Sequence, residues 1–178
     1  MFEIFMQAVW LILPAGVANM APVLFKWLPL FNVPVDFGAR FRGQPLFGAH
    51  KTYRGFLAGI FMAVLVVYIQ QLLYPQMTAY SLINYSEINI WYVGFLLGFG
   101  ALFGDMIESF FKRQVGIASG KSWAPFDQID WILGGLIFIS FCQIISWKVW
   151  IAAILLFGLL HPIVNLIGYY LGVKKNKF

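Results

Sequence analysis

Charged residues are absent from five long segments of this chain, and each segment is strongly apolar. The segments contain 17 to 31 residues and cover 4–25, 56–86, 88–104, 131–147 and 149–173. A helix that crosses a bilayer needs about 20 mostly apolar residues. The pattern therefore predicts five transmembrane helices, at about 3–26, 55–75, 90–112, 129–147 and 149–172. Only Lys148 separates the last two, which predicts a tight helical hairpin there.

The composition agrees with a membrane protein. Of the 178 residues, 61% are hydrophobic and 11% are charged, whereas a soluble domain is about 45–50% apolar and about 25% charged. A soluble domain of this length has too little interior to bury so much apolar surface. These values exclude an ordinary water-soluble enzyme. They predict an all-α, polytopic integral protein of the cell membrane, with 1–178 as a single membrane domain.

The basic residues are distributed unequally between the two ends of the predicted helices. Eleven of the 12 Lys and Arg residues lie in or beside the loops 27–54 and 113–128 or in the C-terminal tail, and Lys148 lies on the other side. Positively charged loops remain in the cytoplasm. The N-terminus is therefore predicted to be outside, with the C-terminus and both loops inside. The net charge of +5 is explained by this orientation, and no nucleic-acid partner is expected.

The first cytoplasmic loop is long for a connection between helices, and it is rich in Gly, Pro and aromatic residues. We expect an ordered loop that lies against the membrane. Near its end, Lys51 and Arg54 are three residues apart, at the start of the second predicted helix. With free backbone N–H groups nearby, they predict a site for an anion, and Thr52 and the glycines favour a phosphate. The alternative is that the two cations anchor the helix at the lipid headgroups.

The third predicted helix ends in a group of polar residues. On a helix, Asp105, Ser109 and Lys112 share one face, with Glu108 beside them. An ionisable residue at membrane depth is a candidate for function. The alternative is that Asp105 forms a buried ion pair that holds helices together.

A second pair of carboxylates begins the fourth predicted helix. Asp127 and Asp130 are three residues apart, and Pro125 suits the first turn. Because Asp105 ends the preceding helix, the three carboxylates can converge at one membrane face. Mg²⁺ binds a few carboxylates and leaves other positions for water and phosphate oxygens. Carboxylates beside basic residues predict a site for a metal and a triphosphate.

The chain carries several motifs in a specific order. They are Ala18-Asn19-Met20-Ala21-Pro22, Pro34-Val35-Asp36-Phe37-Gly38, Gly48-x-x-Lys51-Thr52-x-Arg54-Gly55, and Gly104-Asp105-x-x-x-Ser109-Phe110-x-Lys112-Arg113 followed by Asp127-Gln128-x-Asp130. Taken together they resemble the CDP-archaeol synthase family, membrane-embedded CTP-dependent cytidylyltransferases of ether-lipid synthesis. The last pair is also similar to the signature of phosphatidate cytidylyltransferases. The resemblance implies that CTP and a membrane lipid phosphate, of the archaeol type or phosphatidate, react with Mg²⁺ to give a CDP-lipid and pyrophosphate.

The resemblance also implies residue roles. Metal ligands would be Asp105, Asp127 and Asp130, which with Lys112 form the implied catalytic set. Phosphates would bind to Lys51, Arg54, Lys112 and Arg113, and the nucleotide would contact Asn19, Thr52, Ser109 and Gln128. The roles of Asp36, Glu108 and His161 and the oligomeric state stay open.

Two other functions compete with this interpretation. A CDP-alcohol phosphotransferase would carry the denser motif D-x-x-D-G-x-x-A-R, which this chain lacks. A small transporter would place carboxylates near the middle of the membrane, whereas here they lie near one predicted surface.

Overall fold

The computed structural model describes residues 1–119 and 121–170. Its elements in chain order are α1 (Phe2–Leu24), β1 (Arg40–Phe41), β2 (Gln44–Pro45), α2 (Tyr53–Met77), a 3-10 turn (Thr78–Tyr80), α3 (Ile90–Gln114), α4 (Phe126–Ile139) and α5 (Trp147–Tyr170). Lys174, Lys175 and Lys177, which contribute to the predicted orientation, lie outside the described residues, as does the side chain of His161.

In residues 1–119 and 121–170, five α-helices overlap the uncharged segments that predict them. Within the described residues, α1, α2 with its following turn, and α3 are long and apolar enough to cross a membrane. The fourth helix differs from the prediction, because it ends at Ile139, eight residues before the predicted end at 147. The Ser140 hydroxyl donates to the Leu136 carbonyl at 2.7 Å, a side-chain bond that competes with helix continuation. Residues 140–146 therefore connect α4 to α5 in place of the predicted tight hairpin.

The third helix lies at the centre of the bundle and packs against α1, α2 and α4. Two of its glycines allow this close approach on different faces. A Cβ atom at Gly94 would lie 2.6 Å from the Val64 Cα of α2, and one at Gly100 would lie 2.6 Å from the Gly134 carbonyl oxygen of α4. Both distances are too short for any side chain larger than hydrogen. Small residues thus set the helix spacing here, as they do in other membrane helix pairs.

A polar network fixes the connection between α2 and α3 to the far end of the bundle. Gln70, which is almost fully buried, donates from Nε2 to the Trp10 carbonyl at 2.5 Å. The Tyr85 hydroxyl donates to the Gln70 Oε1 atom at 2.9 Å. Buried polar groups need such partners, so this network is structural and lies away from the charged end of the helices.

The first loop contains a small hairpin that the all-α prediction does not include. Strands β1 and β2 pair antiparallel around a two-residue turn at Arg42 and Gly43, both with positive φ, as a type I′ turn requires. Asp36 closes the loop, since its carboxylate accepts the Gly38 N–H at 2.9 Å and the Phe47 N–H at 3.0 Å. The loop is thus held together by its own hydrogen bonds.

Candidate active site

The charged end of the bundle is organised around the start of α2. The Thr52 hydroxyl accepts the Gly55 N–H at 3.2 Å and so caps this helix. A bridge between Pro34 and Thr52 fastens the first loop to the same point. Lys51, one residue before the cap, then reaches α3, where its Nζ lies 2.5 Å from the Asp105 Oδ2 atom. The first loop and the third helix therefore meet at this ion pair.

Three carboxylates converge at this ion pair, and that of Asp105 is one of them. One oxygen each of Asp105, Glu108 and Asp130 lies within 4.8 Å of the others. Asp105 and Glu108 are three residues apart on α3 and share a face. Asp130 joins them because α4 packs on Gly104, where a Cβ atom would clash with the Asp130 carbonyl. The helix contact at a glycine thus brings the carboxylates of two helices together.

This triad differs from the predicted one by one residue. Asp127 lies next to it, but its carboxylate accepts the Trp123 N–H and pairs with the ammonium group of Lys112. Lys112 also lies 3.5 Å from Glu108. Asp127 is therefore held by protein partners, and Glu108 takes the third position in the cluster. The spacing of three residues between Asp105 and Glu108 is the sequence signal for this.

The cluster carries more negative than positive charge. Lys51 pairs with Asp105, and Lys112 is shared by Glu108 and Asp127. Two lysines thus face four carboxylates, and within residues 1–119 and 121–170 Asp130 forms no ion pair. The Glu108 Oε1 atom is buried, and Lys112 Nζ at 3.5 Å is an ion-pair partner that forms no hydrogen bond with it. An uncompensated group of carboxylate oxygens is the donor set that a hard divalent cation such as Mg²⁺ prefers, so these residues fit a metal.

An unpaired arginine lies one residue beyond Lys112. Arg113 is only 6% exposed, and its Nε and Nη1 atoms form no hydrogen bond with the described residues. Its side chain lines a cleft of about 550 Å³, together with Asp36, Gly48, His50, Gly116 and Ser119. A buried cation without a partner is costly, so an anion that enters this cleft would bind favourably.

The cleft and the carboxylate cluster are neighbours. Ala49 and His50 line the cleft, and the next residue, Lys51, pairs with Asp105 of the cluster. On α3, Arg113 lines the cleft, and the preceding residue, Lys112, pairs with Glu108. Two pairs of adjacent residues thus connect a site suited to an anion with a site suited to a cation.

The other predicted site residues occupy varied positions. The Arg54 Nη1 atom donates to the Leu28 carbonyl at 2.5 Å, which ties the first loop to α2, and Arg54 Nε is buried without a partner. Thr52 has the capping role described above. Ser109 is buried on α3, and Asn19 and Gln128 are half-buried on α1 and α4. The nucleotide contacts of Asn19, Thr52, Ser109 and Gln128 stay predictions.

Comparisons with known proteins agree with the resemblance. The family model for CDP-archaeol synthase, CarS-like, matches residues 1–178. A CDP-archaeol synthase of Methanoculleus marisnigri is 38% identical over 172 residues, which is 92% of this chain and 98% of that protein. One from Methanocaldococcus jannaschii is 34% identical over 175 residues, 97% of each chain.

A solved structure of an intramembrane enzyme for archaeal membrane lipid biosynthesis superposes with a TM-score of 0.72. It is 31% identical and covers 89% of this chain and 92% of its own. The fold described above is thus that of an intramembrane enzyme of lipid biosynthesis. The chain belongs to the CDP-archaeol synthase family, which confirms the predicted resemblance.

Proposed function

We propose that this chain transfers a cytidylyl group from CTP to an archaeol-type lipid phosphate, giving a CDP-lipid and pyrophosphate. The observation that carries the proposal is the pairing of an acidic cluster with an anion cleft. Asp105, Glu108 and Asp130 form the cluster. The buried Arg113, whose Nε and Nη1 atoms have no hydrogen-bond partner among the described residues, lines the cleft beside it. A reaction between a metal-bound triphosphate and a second phosphate needs both. Family membership favours this reaction over alcohol transfer or transport.

The reaction needs no nucleophile from the protein, because the lipid phosphate is itself the nucleophile. An oxygen of the lipid phosphate attacks the α-phosphorus of CTP, the bond from that phosphorus to the β-phosphate oxygen breaks, and pyrophosphate leaves with the electron pair. The second pKa of a phosphate monoester is about 6, so the attacking oxygen is already ionised at neutral pH. The protein must position two anions and neutralise their charge.

The charged residues of the cluster and the cleft have the following roles in this reaction. Arg113 binds a phosphate in the cleft, and Lys51 and Lys112 offset charge at the edge of the cluster. Asp105, Glu108 and Asp130 would hold Mg²⁺, which when bound neutralises charge on the triphosphate and the leaving pyrophosphate. Asp127 keeps Lys112 oriented. Asp36 shapes the wall of the cleft through its two backbone hydrogen bonds.

The proposal includes the topology. Five helices cross the cell membrane, the N-terminus is outside, and the charged end faces the cytoplasm, where CTP is available. The asymmetry of Lys and Arg residues supports this orientation. α4 is the weakest span, because 14 residues extend only about 21 Å.

The direct test is an assay of the purified protein in detergent. CTP and MgCl₂ are supplied with archaeol phosphate or with phosphatidate, and both CDP-lipid and pyrophosphate are measured. We expect equal amounts of the two products, formed faster with archaeol phosphate, and none after chelation with EDTA. The Asp130→Asn variant serves as the inactive control. Absence of CDP-lipid with both lipids would overturn the proposal, and preference for phosphatidate would overturn its substrate.

A further inference from the structure

The segment 26–42 of the first loop exposes large aromatic side chains outside the helices. Trp27 is 74% exposed, Phe31 is 64% exposed and Phe37 is 76% exposed. Exposed apolar residues are ordinary on helices that cross a bilayer, but this segment lies between α1 and α2. Here the rings meet either water or another apolar surface. Three such rings in one short ordered segment are typical of an interaction surface.

Two of these rings are exposed at a cost in backbone energy. Phe31 and Phe37 have φ angles of 52° and 50°, in the left-handed region that bulky residues avoid. Phe37 occupies the first central position of the turn closed by the hydrogen bond from Ala39 N–H to the Asp36 carbonyl, with Gly38 at the second. Asn or Gly suits such a turn far better. Strain that is kept at an exposed residue indicates that its side chain has a function.

Contacts place Phe31 and Phe37 at the level where the helices end. The Phe31 carbonyl accepts the Arg54 N–H at 2.9 Å, in the first turn of α2. The ring of Phe37 lies 5.7 Å from that of Tyr53, the first residue of α2. Trp27 follows the end of α1 by three residues. Aromatic residues at this depth belong to the boundary between lipid and water.

The same segment carries three exposed cations that could face an anionic surface, of which Arg40 donates to the Gly43 carbonyl at 3.3 Å. Lys26, Arg40 and Arg42 are exposed, and none of them forms an ion pair with the residues that the structure describes. The Arg42 guanidinium lies over the Phe41 ring, 5.3 Å from its centroid. Alternating rings and cations match a membrane surface that combines acyl chains with phosphate headgroups.

We propose that 26–42 is a membrane-docking surface. Trp27, Phe31 and Phe37 insert among the lipid headgroups, while Lys26 and Arg42 bind anionic lipids. This surface lies beside the cleft, because Arg40 and Gly38 belong to both. Its docking would hold the wall of the cleft against the bilayer that supplies the lipid substrate. That consequence rests on the proposed function, but the docking itself does not.

The test measures contact with lipid directly. A fluorescent NBD label is attached at Asn32→Cys in a Cys142→Ser background, and the full chain is placed in nanodiscs. The discs contain phosphatidylcholine, or an equal mixture with phosphatidylglycerol, plus a lipid with a nitroxide at headgroup depth. A label at Ser86→Cys in the polar connection between α2 and α3 is the control. We expect strong quenching at position 32, stronger in the anionic discs, and little at position 86.

Matched variants separate docking from folding. Phe31→Asn with Phe37→Asn keeps the turns and relieves their strain, so the melting temperature in detergent should stay the same or rise, while quenching falls to the control level. Lys26→Gln with Arg42→Gln should remove the difference between the two lipid compositions. Quenching at position 32 no greater than at position 86 would overturn the proposal. A lower melting temperature of the double Asn variant would also overturn it, because the rings would then be packing residues. None of these readouts depends on cytidylyl transfer.

Discussion

The Lys51 ammonium group lies 2.5 Å from the Asp105 carboxylate, although 54 residues separate them in the chain. The pair joins the end of the first loop to the end of α3. Both side chains are partly exposed, at 19% and 28%, and exposed ion pairs contribute little to stability. Because Asp105 belongs to the carboxylate cluster, the main effect of Lys51 is to offset negative charge at the site, and its effect on the stability of the fold is small.

Replacement of Lys51 tests this role. In Lys51→Met the cation is lost while the aliphatic stem is largely kept. Loss of one charge-assisted contact costs about 1.5–3 kcal/mol, so we expect kcat/KM for CTP to fall about ten- to a hundredfold, with the melting temperature close to that of the wild type. The exposed residue Lys121 provides the matched control, since Lys121→Met should leave both values unchanged. Wild-type kinetics in Lys51→Met would show that the lysine only anchors the helix.

Glu108 and Asp127 offer the sharpest contrast between sequence and structure. The motif implies Asp127 as a metal ligand, whereas the structure groups Glu108 with Asp105 and Asp130. We expect Glu108→Gln to lose the rise in melting temperature that Mg²⁺ produces and most of the turnover. Its melting temperature without Mg²⁺ should match or exceed that of the wild type, because repulsion among the carboxylates decreases. Thermal melts with and without MgCl₂ measure both effects.

Asp127→Asn should behave in the opposite way. The substitution removes the strongest partner of the buried Lys112, so the melting temperature should fall even without Mg²⁺. The rise in melting temperature on adding Mg²⁺ should remain. Glu87→Gln, in the connection between α2 and α3, is the control for the loss of a carboxylate. If the Mg²⁺ effect disappears in Asp127→Asn and persists in Glu108→Gln, the triad implied by the motif is correct and the one assigned here is not.

Gly104 is the contact that brings the two halves of the cluster together. A side chain there would push against the Asp130 carbonyl and separate α3 from α4. We expect Gly104→Ala to lower both turnover and the melting temperature in detergent. The control is Gly158→Ala on α5, where a Cβ atom would lie 3.5 Å from the Ile129 Cγ2 atom, an ordinary contact. Equal stability of the two variants would show that the helices tolerate wider spacing.

The helices and the place of the site follow from the sequence, because both depend on local patterns. Gaps between charges locate the bundle, and motif order locates the charged end. The spacing of Asp105 and Glu108 predicts that both carboxylates share one face of α3. The contacts of Asp127 with Lys112 and with the Trp123 N–H do not follow from the sequence, since they depend on how α4 packs on α3. The sequence pattern also does not predict the end of α4 at Ile139. The apolar run continues beyond Ile139, and neither Gly nor Pro marks the position where Ser140 turns its hydroxyl back to Leu136.

The predicted topology can be tested with two serines in exposed connections. Ser122 lies between α3 and α4, and Ser146 lies between α4 and α5. With an outside N-terminus and five crossings, Ser122 is cytoplasmic and Ser146 is external. Each is replaced by Cys in the Cys142→Ser background, which removes the one native thiol. Intact cells are then treated with a thiol reagent that does not cross membranes. We expect Ser146→Cys to react in intact cells and Ser122→Cys to react only after lysis. Because α4 is short, this pair of positions tests the weakest span directly. Reaction of both or of neither in intact cells would mean that α4 does not cross, and the five-span topology would then be wrong.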